Sequence, residues 1–326
     1  MTSFAISAQH LARSFGTTHA LVDVSLDVPA GNVCALLGRN GAGKTTTVRI
    51  LTTLLDPDGG HAQVAGFDIA TQADKVRGKI GVTGQTATMD ELLTGHENLE
   101  IIGRFSHLGA AVSRRRAGEL LQQFDLVDAG GQLVKRYSGG MRRRLDLAAS
   151  LIADPEVLFL DEPTTGLDPV SRSEMWAAIR NLVSRGTTVL LTTQYLDEAD
   201  QLADTIVVVD RGLVVAEGTP EQLKASIGRP SVVVTLADAE PGALEKVRAA
   251  LGEDATIRGR SVSAPAPDGL VSLSEVVTLL EGIGVPIHEV GLEHPSLDEV
   301  FSAVTHRAGD PLPGGHPADA TVGAAP

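Results

Sequence analysis

Apolar runs typical of β-strands alternate with helical patterns from about residue 20 to residue 220. This alternation predicts a mainly parallel sheet that is covered by helices. Between about residues 90 and 150 the pattern is almost wholly helical, which predicts a helical subdomain inserted between strands. The segment IVVVDRGLVVAEG, residues 206–218, predicts two strands that turn at residues 210–212. We therefore expect an α/β domain with an antiparallel β flank.

A second pattern begins at about residue 229 with the strand-like run SVVVTLAD. It ends near SLDEVFSAV, where Ser296 and Glu299 have the spacing of a capping box at the start of a helix. The apolar face of this helix consists of Leu297, Val300, Phe301 and Val304. Beyond Gly309 the chain is rich in Gly, Pro and Ala, which predicts disorder.

These patterns divide the chain into three parts. Residues 1–228 are expected to form the α/β domain, with the helical subdomain at about residues 90–150. Residues 229–308 are expected to form a small α+β domain, and residues 309–326 a disordered tail. No repeat of the first 220 residues is visible, so we expect one copy of the larger domain.

Composition limits the surroundings and partners of the chain. Its 326 residues are 43% hydrophobic and 21% charged, which is typical of a soluble globular protein. No apolar run reaches the roughly 18 residues that span a bilayer, so work at a membrane would need a separate membrane-spanning chain. The net charge of -14 and the aromatic content of 3% argue against a nucleic-acid partner.

The cysteine content and the N-terminus indicate the compartment. Cys34 is the single cysteine, which excludes an internal disulfide, and its apolar setting NVCALL predicts a buried side chain. The N-terminal segment MTSFAISAQH lacks a basic region followed by a long apolar run, so we expect no secretion signal. The expected location is the cytoplasm.

A glycine-rich segment, GRNGAGKT at residues 38–45, carries the first candidate chemistry. It follows the strand-like run VCALL and precedes a helical pattern, which is the context of a phosphate-binding loop, or P-loop, and argues against an ordinary glycine-rich turn. Glycines let backbone N–H groups turn towards a phosphate, and the helix N-terminus adds partial positive charge. Lys44 is expected to reach the terminal phosphates and the Thr45 hydroxyl to bind Mg²⁺. The expected nucleotide-binding residues are Gly38, Arg39, Asn40, Gly41, Ala42, Gly43, Lys44, Thr45 and Thr46.

Two acidic residues, Asp161 and Glu162, end a second apolar run, VLFLDE. Burying carboxylates at the end of an apolar strand costs free energy, so an acidic pair there indicates a function. The alternative is that this strand end is exposed to solvent. Asp161 suits the coordination of Mg²⁺. Glu162 suits the orientation and deprotonation of a water molecule that attacks a γ-phosphate.

The segment YSGGMRRRLDLAASLIADP, residues 137–155, is the most discriminating part of the chain. Ser138, Gly139 and Gly140 precede a helical pattern that ends at an Asp-Pro pair. This start of a helix is either a plain cap or a second phosphate-binding helix N-terminus. The segment lies some 20 residues before VLFLDE, which PTTGLD follows. This order resembles the signature, Walker B and D-loop order of ATP-binding cassette proteins.

The resemblance covers roughly residues 4–222 and implies roles for residues that are weak signals alone. It implies that Phe15 stacks on adenine, that Gln85 contacts Mg²⁺ and couples the helical subdomain to a transmembrane partner, and that Asp168 crosses a dimer interface. It also implies ATP and Mg²⁺ as cofactors. The implied assembly is a head-to-tail homodimer that holds ATP between the P-loop of one subunit and the Ser-Gly-Gly of the other.

Gln194 follows the apolar run TTVLLTT and matches the switch position of this family, where histidine is usual. The chain departs from the family again at Met141, where glutamine usually follows the two glycines. Both departures, together with the C-terminal PSLDEVF, resemble the daunorubicin and doxorubicin resistance ATPases of drug and lipid exporters. An amide donates a hydrogen bond without taking up a proton near neutral pH, so we expect Gln194 to be a non-titrating γ-phosphate sensor. The alternative is that Gln194 caps the following helix.

Three functions remain open on the sequence. The resemblance implies the ATPase subunit of an exporter, peripheral at the cytoplasmic face of the membrane, that powers efflux of a drug-like or lipid-like apolar compound through a separate transmembrane permease. A non-transport ATPase of the same family, acting on ribosomes or DNA, would ordinarily need two cassettes, a coiled coil or a basic surface, and none is visible. A small-molecule kinase would leave the Ser-Gly-Gly before the acidic strand unexplained.

Overall fold

Ten strands form one large sheet in the computed structural model. The structure describes residues 4–84, 89–228, 230–237, 241–266, 270–282 and 284–307. In chain order the strands are β1 (Phe4–Phe15), β2 (Thr18–Pro29), β3 (Val33–Leu37), β4 (Gly59–Val64), β5 (Phe67–Asp68), β6 (Ile80–Thr83), β7 (Val157–Asp161), β8 (Thr188–Thr193), β9 (Thr205–Asp210) and β10 (Leu213–Gly218). Their order in the sheet is β5-β4-β1-β2-β10-β9-β3-β8-β7-β6.

The central strands are parallel and apolar. β3 pairs with β8 and β9, β8 pairs with β7, and β7 pairs with β6, all in parallel. Every residue of β3, β7 and β8 is buried, as expected of a parallel sheet that is covered on both faces. Cys34 is buried in β3, as predicted. Antiparallel pairs join β1 to β2 and β4, and β9 to β10, so the predicted antiparallel flank is confirmed.

Helices connect these strands. They are α1 (Lys44–Leu51), α2 (Ala73–Arg77), α3 (Gly95–Phe105), α4 (Ala110–Gln123), α5 (Gly139–Ser150), α6 (Pro169–Ser184), α7 (Leu196–Leu202) and α8 (Pro220–Ile227). α3, α4 and α5 lie between β6 and β7, so the predicted insertion of helices is confirmed. Their buried side chains Leu99, Leu120 and Leu145 belong to one apolar cluster, which therefore stabilises the insertion.

A second sheet forms from the C-terminal part of the chain. The elements are β11 (Ser231–Leu236), α9 (Pro241–Leu251), β12 (Thr256–Arg258), β13 (Ser261–Pro265), α10 (Leu270–Glu281) and β14 (Ile287–Glu293). The strands pair antiparallel in the order β12-β13-β11-β14, which is the arrangement of a ferredoxin-like β-α-β-β-α-β unit. Buried residues such as Val232, Val234, Val247 and Val262 form a separate core, and the predicted small α+β fold is confirmed.

The last helix, α11 (Leu297–Arg307), packs against the larger unit. Ser296 and Glu299 form the predicted capping box at its start. Leu297 and Val300 are buried in the same apolar cluster as the central strands, and α11 contacts α7, α8 and β10. The domain boundary at residue 229 stays a prediction, and α11 connects the two sides of it.

Two further predictions concern the C-terminal tail and membrane-spanning segments. The tail expected at residues 309–326 lies outside the described residues. Among the helices that the structure describes, none combines the length and the apolar character that crossing a membrane requires.

Candidate nucleotide-binding site

The glycine-rich loop joins β3 directly to α1, as the sequence predicts. Gly43 precedes the helix with a φ of 115°, a conformation that residues with a side chain rarely adopt. A Cβ at this position would lie 2.6 Å from the Leu21 side chain, and a Cβ at Gly38 would lie 2.4 Å from the Val209 carbonyl oxygen. Glycine is therefore required at both positions, because the loop passes close to two neighbouring strands.

Lys44 begins α1 and is only 5% exposed. Its ammonium group donates hydrogen bonds to the carbonyl oxygens of Gly38 at 2.7 Å and Arg39 at 3.2 Å. Burial lowers the pKa of Lys44, while the carboxylates of Glu162 and Asp161 act in the opposite direction. The Lys44 side chain thus lies across its own loop, opposite the carboxylates of Glu162 and Asp161. One buried cation therefore lies where the sequence predicts the terminal phosphates.

Asp161 and Thr45 face each other across the site. The Thr45 hydroxyl lies 3.3 Å from Oδ2 of Asp161, and the Thr192 hydroxyl in β8 donates a hydrogen bond to Oδ1 of the same carboxylate. Mg²⁺ prefers oxygen ligands and usually binds one or two carboxylates together with substrate phosphates. A hydroxyl and a carboxylate next to the P-loop therefore fit this ion. Among the described residues there is no group of three or more His, Cys, Asp or Glu that could hold a metal by itself.

Glu162 follows β7 in a left-handed conformation with a φ of 49°. This region is unfavourable for residues other than glycine and concentrates at functional sites. The Glu162 amide donates to the carbonyl oxygen of Thr192, at 3.1 Å. One carboxylate oxygen accepts a hydrogen bond from Thr165, and the other lies 3.9 Å from Nζ of Lys44. The turn after β7 therefore directs the Glu162 carboxylate towards the P-loop.

A cavity of ≈ 570 Å³ lies above the P-loop. Its lining includes Phe15, which is 46% exposed, at the end of β1. The guanidinium group of Arg13 lies 5.2 Å from the centre of the Phe15 ring and supports one face of it. The full lining is Phe15, Thr18, His19, Ala20, Asn40, Gly41, Gly43, Lys44, Thr45, Thr46 and Glu162. The structure thus brings the predicted adenine-stacking residue to the same cavity as the P-loop and Glu162.

Gln194 lies between β8 and α7 and is exposed. β8 is the strand between β3, which leads into the P-loop, and β7, which ends at Asp161. The amide of Gly38 donates to the carbonyl oxygen of Thr193, so Gln194 follows a residue in direct contact with the P-loop. Tyr195 occupies the cap position of α7, without a side-chain hydrogen bond. The alternative that Gln194 caps this helix is therefore wrong.

The Ser-Gly-Gly segment lies at the start of α5, apart from the residues that line the cavity above the P-loop. The Ser138 hydroxyl caps α5 by accepting a hydrogen bond from the Met141 amide. A Cβ at Gly140 would lie 2.8 Å from the Ser171 hydroxyl, and Ser171 donates hydrogen bonds to Asp168, which caps α6. Neither Ser138 nor Asp168 is among the described residues that line the cavity above the P-loop. The signature and D-loop residues therefore adjoin each other but do not complete the same chain's nucleotide cavity.

The sequence did not single out three residues near the site, and it predicted one that lies outside the described residues. His19 lines the cavity, Thr192 holds Asp161, and Arg143 contacts the end of β7. Arg143 belongs to a run of three arginines at residues 142–144 inside a helical pattern, and such a run does not indicate which backbone groups an arginine contacts. Gln85 falls in the segment after Gly84 that lies outside the described residues.

The fold and the site define the class of P-loop ATPases, because a strand-to-helix glycine loop, a buried lysine and strand-end carboxylates meet at one edge of a parallel sheet. Comparison with known proteins narrows this class. Residues 21–165 match the profile of the family described as ABC transporter. The chain belongs to the ATP-binding cassette (ABC) transporter family, and it is an ATPase.

Several curated relatives match almost the whole chain. A daunorubicin resistance ATP-binding protein of Streptomyces coeruleorubidus is 53% identical over 94% of this chain and 97% of the relative. A daunorubicin/doxorubicin resistance ATP-binding protein of Streptomyces peucetius is 48% identical over 97% of this chain and 94% of the relative. A Nod factor export ATP-binding protein of Ralstonia nicotianae is 37% identical over 93% of this chain and 94% of the relative.

Solved structures match about two thirds of this chain. An ATP-binding subunit of an ABC transporter has a TM-score of 0.62 and 27% identity, and the match covers 69% of this chain and 93% of that one. A bacterial ABC transporter cassette described as dimeric has a TM-score of 0.60 and 25% identity, over 66% of this chain and 98% of that one. The predicted fold class is confirmed.

Proposed function

We propose that the chain is the ATP-hydrolysing subunit of an exporter that moves a drug-like or lipid-like apolar compound through a separate transmembrane permease. The observation that carries the proposal is that Lys44 and Glu162 line one cavity at the P-loop, while Asp161 lies against the Thr45 hydroxyl beside it. The names of the relatives support the transport role, because two are drug resistance ATP-binding proteins and one is a Nod factor export protein. The net charge of -14 does not favour the alternative partner, a nucleic acid.

In the proposed reaction each residue has a separate role. Phe15 stacks on the adenine ring, and the residues of the P-loop bind the phosphates through their backbone N–H groups. Lys44 exchanges its bonds to the loop carbonyls for bonds to the terminal phosphates. Glu162 accepts a proton from the attacking water, and Gln194 donates a hydrogen bond to the γ-phosphate. The water oxygen bonds to the γ-phosphorus while the bond from that phosphorus to the bridging oxygen breaks, so ADP is the leaving group and phosphate is released without a covalent enzyme intermediate.

Mg²⁺ is the proposed second cofactor. Thr45 and Asp161 would hold it, together with Gln85. When bound, the ion neutralises negative charge on the β- and γ-phosphates. The carboxylate of Asp161 is already fixed by the Thr192 hydroxyl, so this ligand needs little reorganisation.

We also propose a head-to-tail homodimer, peripheral at the cytoplasmic face of the membrane. Ser138, Gly139, Gly140 and Asp168 are exposed or half-exposed at the starts of α5 and α6, where helix N-termini favour anions. In such a dimer these residues of one chain would close the ATP cavity of the other. Dimerisation on ATP binding and opening after hydrolysis would move the helical insertion, which would pass the motion to the permease through the region of Gln85.

The role of the C-terminal unit is a further part of the proposal. It has its own core, and α11 anchors it to the larger unit, which suits adjustment of dimerisation or of permease docking. This role does not require the C-terminal unit to contact the nucleotide.

Transport of a fluorescent anthracycline tests the proposal. Cells would produce the chain together with a candidate transmembrane permease, and the matched control would produce Glu162→Gln in place of the wild type. We expect efflux with the wild type and its loss with the variant, since Gln keeps the shape of Glu but accepts no proton. Equal efflux from both strains would refute the proposed coupling of hydrolysis to transport.

A further inference from the structure

Arg143 lies on α5 and reaches the end of β7, which makes it the connection between the signature helix and the candidate catalytic segment. Nε donates to the carbonyl oxygen of Pro163 at 2.7 Å. Nη2 donates to the carbonyl oxygens of Asp161 at 3.1 Å and Glu162 at 2.6 Å. One guanidinium group thus binds three consecutive carbonyl oxygens.

This arrangement is possible only because the backbone turns at Glu162. Successive carbonyl groups of an extended strand point in alternating directions, so three in a row cannot converge on one group. The left-handed φ of 49° at Glu162 bends the chain and brings the three oxygens together. The cation therefore stabilises the same unfavourable backbone conformation that directs the Glu162 carboxylate towards the P-loop.

The carboxylates around Arg143 favour the charged form of its guanidinium group. Burial lowers the pKa of Arg143, and the surrounding carboxylates act in the opposite direction. Arginine remains protonated in proteins, so the group stays a cation in this setting. The carboxylates are those of Asp146, Glu198, Asp161 and Glu162.

A fourth bond extends the contact to the neighbouring strand. Nη1 of Arg143 donates to the carbonyl oxygen of Gly84 at 3.3 Å, just beyond the end of β6. Gly84 precedes Gln85 in the sequence. Four of the five N–H donors of the guanidinium group are thus used on backbone carbonyls of two strand ends.

We propose that Arg143 is a positioning residue for hydrolysis, because its guanidinium group holds the turn at Glu162 and thereby couples α5 to the geometry of the catalytic carboxylate. The inference rests on the proposed role of Glu162. Lysine cannot replace arginine here, since an ammonium group lacks the planar fork that reaches three carbonyls at once. Arg143 acts through Glu162 and does not bind the nucleotide itself.

The test compares Arg143→Lys and Arg143→Gln with Arg116→Lys, in the full chain. Arg116 lies on α4 in the same insertion and also donates to a carbonyl oxygen, that of Leu151, which lies before β7 and outside the turn at Glu162. We expect kcat for ATP hydrolysis to fall by about 10²-fold in both Arg143 variants, the loss typical of a small misplacement of a catalytic group. The dissociation constant for ATP should stay near the wild-type value, and Arg116→Lys should keep wild-type kcat. A wild-type kcat in either Arg143 variant would overturn the inference.

A double variant separates positioning from general damage to the structure. If Arg143 acts through Glu162, Arg143→Lys should cause no further loss of turnover in the Glu162→Gln background, because the group that it positions is already absent. Multiplicative losses would show that Arg143 acts elsewhere, and the inference would be wrong while the role of Glu162 survives. If Glu162→Gln alone kept wild-type turnover, the proposed function of Glu162 would fail as well.

Discussion

Lys44 illustrates at the residue scale how the protein prepares a cation for a ligand. Its ammonium group is buried, its hydrogen bonds go to the carbonyl oxygens of its own loop, and the nearest carboxylate, that of Glu162, lies 3.9 Å away. These contacts hold the side chain over the P-loop at little conformational cost. A phosphate can replace the carbonyl acceptors, because charge-assisted bonds are stronger than bonds to neutral groups.

Lys44→Ala should weaken ATP binding by about 10-fold to 100-fold, the effect of removing one hydrogen-bonding cation from a charged ligand. Calorimetric titration with ATP measures the change. The control is Lys75→Ala, at an exposed position of α2, which should bind ATP like the wild type. Unchanged affinity in Lys44→Ala would contradict the assignment of the P-loop.

Gln194 differs from Lys44 because its side-chain amide carries no charge and does not titrate. If its amide donates one preorganised bond to the γ-phosphate, Gln194→Ala should lower turnover by about 10² to 10³ with a smaller effect on ATP binding. Gln194→His should keep substantial activity but add an inflection near the ordinary histidine pKa of about 6.5. Steady-state ATPase rates between about pH 5.5 and 8.5 compare the three proteins. Equal rates in wild type and Gln194→Ala would remove Gln194 from the site.

Helix α7 is held to α6 and to the segment after Glu162 by one buried acid. Glu198 has no exposed surface, and one of its carboxylate oxygens accepts hydrogen bonds from the Thr164 hydroxyl at 2.8 Å and the Trp176 indole N–H at 3.3 Å. Burial raises the pKa of Glu198, and these two hydrogen bonds act in the opposite direction. The position of the element that follows Gln194 therefore depends on a buried acid whose pKa is raised.

Because the pKa of Glu198 is raised in the folded protein, its contribution to stability decreases as the pH rises. The stability that protonated Glu198 contributes is complete below its ordinary pKa of about 4.3 and is lost as the pH rises through the raised pKa of the folded state. Glu198→Gln cannot titrate, so its free energy of unfolding should improve relative to wild type as the pH rises from about 4.5 to 8. Urea unfolding of both proteins across this range measures the difference. A difference that is constant with pH would contradict the assignment.

At the scale of the whole molecule, the described residues form two sheets with separate cores, and α11 follows the second sheet but packs against the core of the first. The helix starts after the second sheet, yet Leu297 and Val300 are buried in the core that the central strands share. Removing α11 would uncover apolar side chains of that core. For comparison, truncating one buried large apolar side chain to alanine lowers the free energy of unfolding by about 2 to 5 kcal/mol. The C-terminal unit is therefore linked to the stability of the ATPase unit.

Truncation after residue 228 should leave measurable ATP binding, because every residue that lines the cavity above the P-loop precedes residue 228. It should also lower the midpoint of thermal unfolding and impair transport, since α11 is lost with the second sheet. Differential scanning calorimetry and nucleotide titration of the truncated chain measure both effects. Leu297→Ala in the full chain provides the milder comparison. Complete loss of ATP binding on truncation would place the domain boundary elsewhere.

Most of the candidate site could be predicted because its residues occur in short local patterns. Gly38, Gly43 and Lys44 follow one strand at fixed spacing, and Asp161 and Glu162 end another. Parallel strands bring their carboxyl ends to one edge of a sheet, so these two patterns had to meet once the parallel sheet was predicted. The capping boxes at Thr219 and Ser296 were predictable for the same reason, since their partners lie three residues away.

The sequence by itself determined what depends on neighbours along the chain: the glycine loop, the strand-end acids, the signature helix and the alternation of strands and helices. Only the tertiary structure decided the contacts between distant residues. Arg143 contacts the carbonyl oxygen of Glu162 because the backbone turns there, and the local sequence does not predict that turn. Thr192 contacts Asp161 because β8 and β7 are neighbours in the sheet. Helix α11 packs against the core of the larger sheet, which is formed by earlier residues. Such contacts depend on where the chain brings surfaces together, and hydrophobic burial and hydrogen-bond geometry settle that only in the folded protein.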